Sequence, residues 1–467
     1  MNTSKKRVLT EHVRRLRARF AQSVDTLLLE DVIPAELLKQ WVLEEAVQWR
    51  ERLYGPLRTL VLFIEQVMSA DHGCQEAVAR GICARVREGQ AAGSANTGPY
   101  CKARARLPIG LVERLGHAVG QRLVAGQPAV WRWRGREVKL VDGTTVSMPD
   151  TKANQARFPQ NREQRAGLGF PLARLVAIVS LSCGVVLEWA VGPCEGKKTG
   201  ETALLWELAK QLQLGDVVVA DCCYGGYFLI AGLMKLGVEV VVRQHQCRAT
   251  DFRRGQRLGA RDHGVSWTRP KCPEWMDEVT YAMMPQTLTL REARVGGWTL
   301  VTTLIDPHEV HKQELFALYR QRWQVELDLR SIKVVMQMDI LRCKTPEMVC
   351  KEIAVHLLAY NLVRAVMAQA AYRGNVLPPQ LSFKGALDLL NAFAETLHQG
   401  PRGHRASCQA HLLASMARLK LPDRPGRVEP RAVKRRPKPH RLLTKPRHTW
   451  RARLVRQQEK RRVELLR

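Results

Sequence analysis

Residues 136–148 read REVKLVDGTTVSM and residues 216–244 read DVVVADCCYGGYFLIAGLMKLGVEVVVRQ. The first stretch is rich in valine and threonine and largely alternates, as a strand with one buried face should. The second gives a short apolar strand, a helix opened by Gly225 and Gly226, and a further strand that is apolar nearly throughout, the mark of burial on both faces. Between the two lie LARLVAIVSLS (172–182) and VVLEWAVGP (185–193), parted only by Cys183 and Gly184 as in an antiparallel hairpin, and then TGETALLWELAKQLQ (199–213), a helix. Thr199 is placed to cap that helix, and Glu201 stands in its first turn, where the dipole favours a negative charge. The predicted order is strand, strand, strand, helix, strand, helix, strand.

Outward from this core the pattern changes twice. Residues 245–305 carry scattered Gly and Pro and two alternating runs, TLTLREARV and GGWTLVTTL, so a β-rich insertion is expected there. A long helix is then expected from about His308 to Met338, announced by Asp306 and Pro307, followed by the apolar helix VCKEIAVHLLAYNLVRAVMAQAAY. Upstream, residues 5–90 read as helical, with Val13, Leu16 and Phe20 at three-and-four spacing and a second apolar face from Leu37 through Val67. The small residues of EGQAAGSANTGP (88–99) form a linker, and CKARARLP after it is a candidate helix-turn-helix DNA contact. The expected organisation is a helical region over 1–130, an α/β domain over 131–365 with its insertion at about 245–305, a helical region over 366–417, and a basic tail over 418–467. Three antiparallel strands leading into parallel ones is the order of the ribonuclease H-like fold. The fold class is therefore α/β, and this analogy alone says nothing about chemistry.

The chain holds 74 Lys and Arg against 44 Asp and Glu, a net charge of +30. Such an excess calls for a polyanionic partner, of which nucleic acid is the commonest. Residues 418–467 contribute 19 basic and 4 acidic residues, half of the excess. That tail reads equally as a solvated extension. No run approaches eighteen consecutive apolar residues and the opening MNTSKKRVLTEHVRRLRARF has no apolar stretch, so a cytoplasmic, nucleoid-associated protein with no membrane contact is expected. The twelve cysteines show no C-x-x-C spacing and read as buried thiols, with Cys222 and Cys223 adjacent. GPCEGKKTGE resembles a phosphate-binding loop but fails its spacing, because position 191 is Val and position 198 is Lys.

Asp142 and Asp221 each follow an apolar strand segment. Either alone is what a turn also wants. Two carboxylates brought to one sheet edge repel unless a cation lies between them, and this points to bound metal. On the helix that follows the insertion, Tyr319, Arg322, Glu326 and Lys333 project within roughly 60° of one another at about 100° per residue. A mixed stripe of this kind is ordinarily a solvated face. It is also what handling a phosphate requires, with Glu on metal and Arg, Lys and a phenol on phosphate oxygens.

The spacing Tyr-x2-Arg-x3-Glu-x6-Lys in YRQRWQVELDLRSIK (319–333) resembles the YREK signature of the IS-four-type DDE transposases of bacterial insertion sequences. The resemblance covers roughly residues 100–365, with the first aspartate in VDGTTVSMPD and the second in ADCCYGG. It implies that Asp142, Asp221 and Glu326 bind two Mg2+ ions, with Mn2+ able to substitute, while Tyr319, Arg322 and Lys333 hold the DNA phosphate. It further implies Trp298 and Trp323 as platforms for an extruded base, although both types are commonly core residues. The implied activity is cut-and-paste transposition: cleavage at terminal inverted repeats through a hairpin, then strand transfer into target DNA by a homodimer. The alternatives are an inactive or domesticated relative that only binds DNA, and a structural basic protein acting through its tail.

Overall fold

Helices α1 (Ala35–Glu45), α2 (Pro56–Met68), α3 (Cys74–Arg87), α4 (Gly98–Arg106) and α5 (Ile109–Gly126) lead into strand β1 (Val138–Ser147) in the computed structural model, which describes residues 33–45, 53–196, 199–398, 402–422 and 442–465. The helical pattern of Val13, Leu16 and Phe20 lies outside those residues. Then come α6 (Lys152–Arg157), β2 (Leu172–Ser180), β3 (Val186–Pro193), α7 (Glu201–Leu208), β4 (Val217–Ala220), α8 (Tyr227–Lys235) and β5 (Glu239–Arg243). With the short α6 interposed, this is the expected order. β1, β2 and β3 are antiparallel neighbours, whereas β4 runs parallel to β1 and β5 parallel to β4. The cap expected at Thr199 is corrected: the helix starts after Gly200, and the Thr199 hydroxyl donates instead to the Gly196 carbonyl.

The insertion adds β6 (Gln256–Gly259), β7 (Asp262–Thr268), α9 (Glu278–Ala282), β8 (Thr287–Val295) and β9 (Trp298–Thr302). Because β9 pairs antiparallel with β5, these strands prolong the central sheet, and all nine strands form one sheet in the order β3-β2-β1-β4-β5-β9-β8-β7-β6. The single helix expected over 308–338 is instead two, α10 (Lys312–Arg320) and α11 (Trp323–Arg330), broken at Gln321 and Arg322. Past Arg330 the backbone widens into a π turn, Ser331–Val335, closed by the Met336 N–H on the Ser331 carbonyl. Helices α12 (Pro346–Arg373), α13 (Phe383–His398), α14 (Arg402–Arg418) and α15 (Arg447–Leu465) complete the chain. Of the basic tail, residues 447–465 are helical, and residues 442–460 are nearly all exposed.

The two faces of the sheet bury different partners. Val138, Leu140 and Val146 of β1 join the core made with α5, α10, α11 and α12, while Val141 faces the core of α7 and α8. Alternation along one strand therefore serves two hydrophobic layers. Helix α12 is long and apolar enough to cross a membrane, but it lies buried as the central rod of the first core. Its Asn361 donates to the carbonyls of Gly116 on α5 and Val186 on β3 and accepts the Val186 N–H, satisfying three polar groups inside the core. The first core runs from Ile33 to Met416. The expected boundaries at 130 and 365 do not part separate cores: the first falls between α5 and β1, and α12 runs straight through the second. In CKARARLP, Arg104 is turned inward, donating to Gln66 and lying over Phe63 and Tyr100, so it is not free to meet DNA.

At the N-terminal end of β1, Lys139 forms a buried ion pair with Asp216, just before β4, at 2.6 Å. Glu188 on β3 lies beside it with His117 at 3.4 Å. Burial pushes the Glu188 carboxyl up to about 7, against the pull of Lys139, and lowers His117 to about 4. This contact is therefore not an ion pair at neutral pH.

Candidate active site

Two strands set the positions of the aspartates. In the parallel ladder Val138 pairs with Val217, Lys139 with Val218 and Leu140 with Val219. Continued by two residues, this register brings Asp142 level with Asp221. Asp142 is not at a strand end as expected, since β1 continues to Ser147 against β2. It stands instead where β4 has stopped at Ala220, so one flank of β1 is open just there. Asp221 also fills the ordinary role of a turn aspartate, accepting the Cys223 N–H at 2.8 Å. The structural and chemical roles coincide in one side chain.

Helix α11 brings the third carboxylate. The Arg322 guanidinium lies 3.7 Å from Asp142 and 2.6 Å from Glu326, so one cation spans both. Glu326 and Asp142 are half-buried. Burial raises the Asp142 carboxyl to about 6, with Glu201 and Asp221 adding to the rise and the Gly143 N–H and Arg322 opposing it. A carboxyl that gains proton affinity from neighbouring carboxylates is short of positive charge. An oxygen-only donor set of this kind fits a hard divalent cation. Thiols also lie close, since donor atoms of Asp221, Cys222 and Cys223 fall within 4.8 Å of one another. Burial and the neighbouring Asp221 push the Cys223 thiol up to about 11, and a soft thiol is a poor match for a hard divalent cation.

The other expected residues divide. Tyr319 is buried, and it senses the charges of Arg322, Arg243 and Asp221, so it belongs to the site. Trp298, 46% exposed, meets the Tyr319 ring edge-on at 6.0 Å. Trp323 is elsewhere: it lines a separate cavity of about 490 Å³ with Trp131, Trp133, Val138 and Leu377. Lys333 lies on the π turn, half-buried and without an ion-pair partner among the described residues. The regular stripe anticipated for the four signature residues is interrupted on both sides of α11.

Two residues at the site escaped the sequence. Arg243 follows Val242, the partner of Ala220, so it stands beside Asp221, and its guanidinium approaches the Cys222 sulfur at 3.7 Å. Position in the ladder was the missing information. Glu201 was read only as a helix-dipole residue, yet its carboxylate accepts from the Tyr224 hydroxyl at 3.1 Å and neighbours Asp142.

Beneath the site, Asp328 is paired with Arg364 of α12 inside the core. Arg364 also donates to the Tyr360 hydroxyl at 2.7 Å, and that hydroxyl donates to the Gly184 carbonyl at 2.8 Å. The helix bearing Glu326 is thereby tied to the central rod and to the β2–β3 turn.

Residues 133–362 match the family model described as a transposase DDE domain. The chain is 32% identical over 349 residues, 70% of its own length and 75% of the relative's, to the transposase InsG for insertion sequence element IS4 of Escherichia coli (strain K12). It is 34% identical over 68 residues to the transposase for insertion sequence element IS421 of Escherichia coli, 15% of this chain and 18% of that one. Among solved structures, the piggyBac transposase in a synaptic complex with hairpin DNA aligns over 89% of this chain and 87% of its own, at 10% identity and a TM-score of 0.42.

Proposed function

The chain belongs to the DDE transposase family of the IS4 kind, and from that premise we propose how its residues carry out DNA transposition. It is an enzyme that cleaves DNA and transfers strands. Asp142, Asp221 and Glu326 would hold two Mg2+ ions, for which Mn2+ could substitute. Metal held there would supply activation of the attacking oxygen and stabilisation of the departing one. The level placement of Asp142 and Asp221, with Arg322 spanning Asp142 and Glu326, is the observation that carries this reading.

The chain's own groups then position the DNA. Tyr319, Arg322 and Lys333, with Arg243 added, face the phosphate beside the scissile bond, where guanidinium and ammonium groups neutralise charge. Trp298 stands at the rim with its exposed face free to stack on an extruded base, which offsets the cost of flipping it. Trp323, in its own cavity, is the weaker candidate for that role. Strands β1 to β5, three antiparallel and then parallel, support a ribonuclease H-like core with β6 to β9 as its insertion. The remaining expectations of the family, a hairpin at each terminal inverted repeat, a homodimer that pairs two ends, and a cytoplasmic, nucleoid-bound protein, complete the proposal.

The test is Glu326→Gln on duplexes carrying the inverted repeats that flank the gene. Binding should persist while metal-dependent cleavage stops. Unchanged cleavage overturns the site assignment, and nicking without any hairpin overturns the proposed intermediate.

A further inference from the structure

Glu201 is the first residue of α7, on the opposite side of β1 from α11. Three observations place its carboxylate deliberately. The Tyr224 phenol, buried in the turn that follows Asp221, donates to its Oε2 at 3.1 Å. Gly143, the neighbour of Asp142, leaves the space it occupies: a Cβ at 143 would fall 2.5 Å from Glu201 Oε1 and 2.7 Å from its Cγ. The loop before α7 is fixed by Arg174 of β2, which donates to the Thr199 carbonyl at 2.7 Å. A carboxylate at the start of a helix is also favoured by the dipole.

We propose that Glu201 is a fourth carboxylate of the metal site, holding the divalent cation from the α7 side of β1 while Glu326 holds it from the α11 side. Tyr224 aims it and Gly143 admits it. The glycine of the Asp-Gly pair is thus part of the ligand arrangement, since a methyl group there would push Glu201 away while leaving every charge in place. This inference rests on the metal-dependent reading above and deepens it.

The experiment measures Mn2+ affinity by electron paramagnetic resonance on the full chain bound to a terminal-repeat duplex, and the Mn2+ concentration that gives half-maximal cleavage. Glu201→Gln should weaken Mn2+ binding roughly tenfold to a hundredfold, the range seen when groups supporting a metal site are removed, with a matching rise in the half-maximal concentration. DNA affinity and circular dichroism should not change. Tyr224→Phe, which keeps every carboxylate and removes one hydroxyl, should show a smaller loss of the same kind. Glu326→Gln is the reference. If it weakens Mn2+ binding while Glu201→Gln and Tyr224→Phe stay within about twofold of the parent, the proposal falls and the three-carboxylate site stands. If all three variants bind Mn2+ like the parent, both readings fall. Should Glu201→Gln not fold, the Tyr224→Phe result decides.

Discussion

Glu326 and Asp328 stand two residues apart on α11 and face opposite ways. Glu326 is half-buried and shares one guanidinium, Arg322, with Asp142. Asp328 is fully enclosed, held by Arg364 and by Gln324, which donates to it at 3.2 Å. The inner carboxylate has a dedicated cation inside the fold. The outer one belongs to a group that also includes Asp142, Asp221 and Glu201, facing too little positive charge within the chain. The same residue type is structural where its charge is matched by the protein and chemical where the match is left to a ligand.

Breaking the outer side should have the largest effect. Glu326→Gln is expected to lower cleavage by about a hundredfold to a thousandfold, the scale on which a single preorganised charge-stabilising group acts, with the unfolding midpoint unchanged. A fall in stability of the same size as for the inner face would erase the distinction. Breaking the inner side should do the reverse: Arg364→Met leaves Asp328 uncompensated and should cost about 3–5 kcal/mol of stability in urea denaturation. The double variant Asp328→Leu with Arg364→Met should recover much of that loss, because two apolar groups remove the stranded charge.

Glu188 sharpens the comparison as an intermediate case, a buried carboxylate away from the site with only partial compensation. Its pKa is raised from 4.5 to about 7. The folded state therefore binds this proton more tightly than the unfolded state does, and stability falls as pH rises from 4.5 to 7. Glu188→Gln should add up to about 3 kcal/mol above pH 7 and nothing below pH 4.5, read from denaturation curves across pH. The smallest effect is expected at the rim. Trp298→Ala should weaken a stacked base by about 1–3 kcal/mol, and a substrate with that base already unpaired should restore the lost cleavage.

How much of this was legible in the sequence follows from what periodicity can carry. The alternation in REVKLVDGTTVSM and the apolar run of VEVVVRQ announced β1 and β5, and the signature spacing singled out Glu326. The helix break at Gln321 and Arg322 was not legible, because both residues accept helical geometry and only packing against the sheet decides where the axis bends. Trp323 looked equivalent to Trp298 in the linear chain, yet α11 turns it toward Trp131 and Trp133. Glu201 was visible but underread, since its neighbour Gly143 lies on β1, far off in the chain, and nothing in the one-dimensional pattern links them. Arg364 lies within an apolar helix, and its partner Asp328 is 36 residues away in the chain, beyond the reach of any periodicity.

The ion pair of Lys139 and Asp216 has a consequence beyond the charge it hides. Strand β4 is Val-Val-Val-Ala, and three identical side chains give a parallel strand almost no means of telling one alignment from the next. Sliding it by one residue along β1 would exchange the faces of its side chains and carry Asp221 about 3.3 Å out of level with Asp142. Asp216 immediately precedes those valines, and in the alignment observed it meets Lys139 at 2.6 Å, a contact that a one-residue slide would stretch. A buried pair of modest net stabilising value can thus act as a key, selecting during folding the one pairing in which two residues nearly eighty positions apart in the chain arrive side by side.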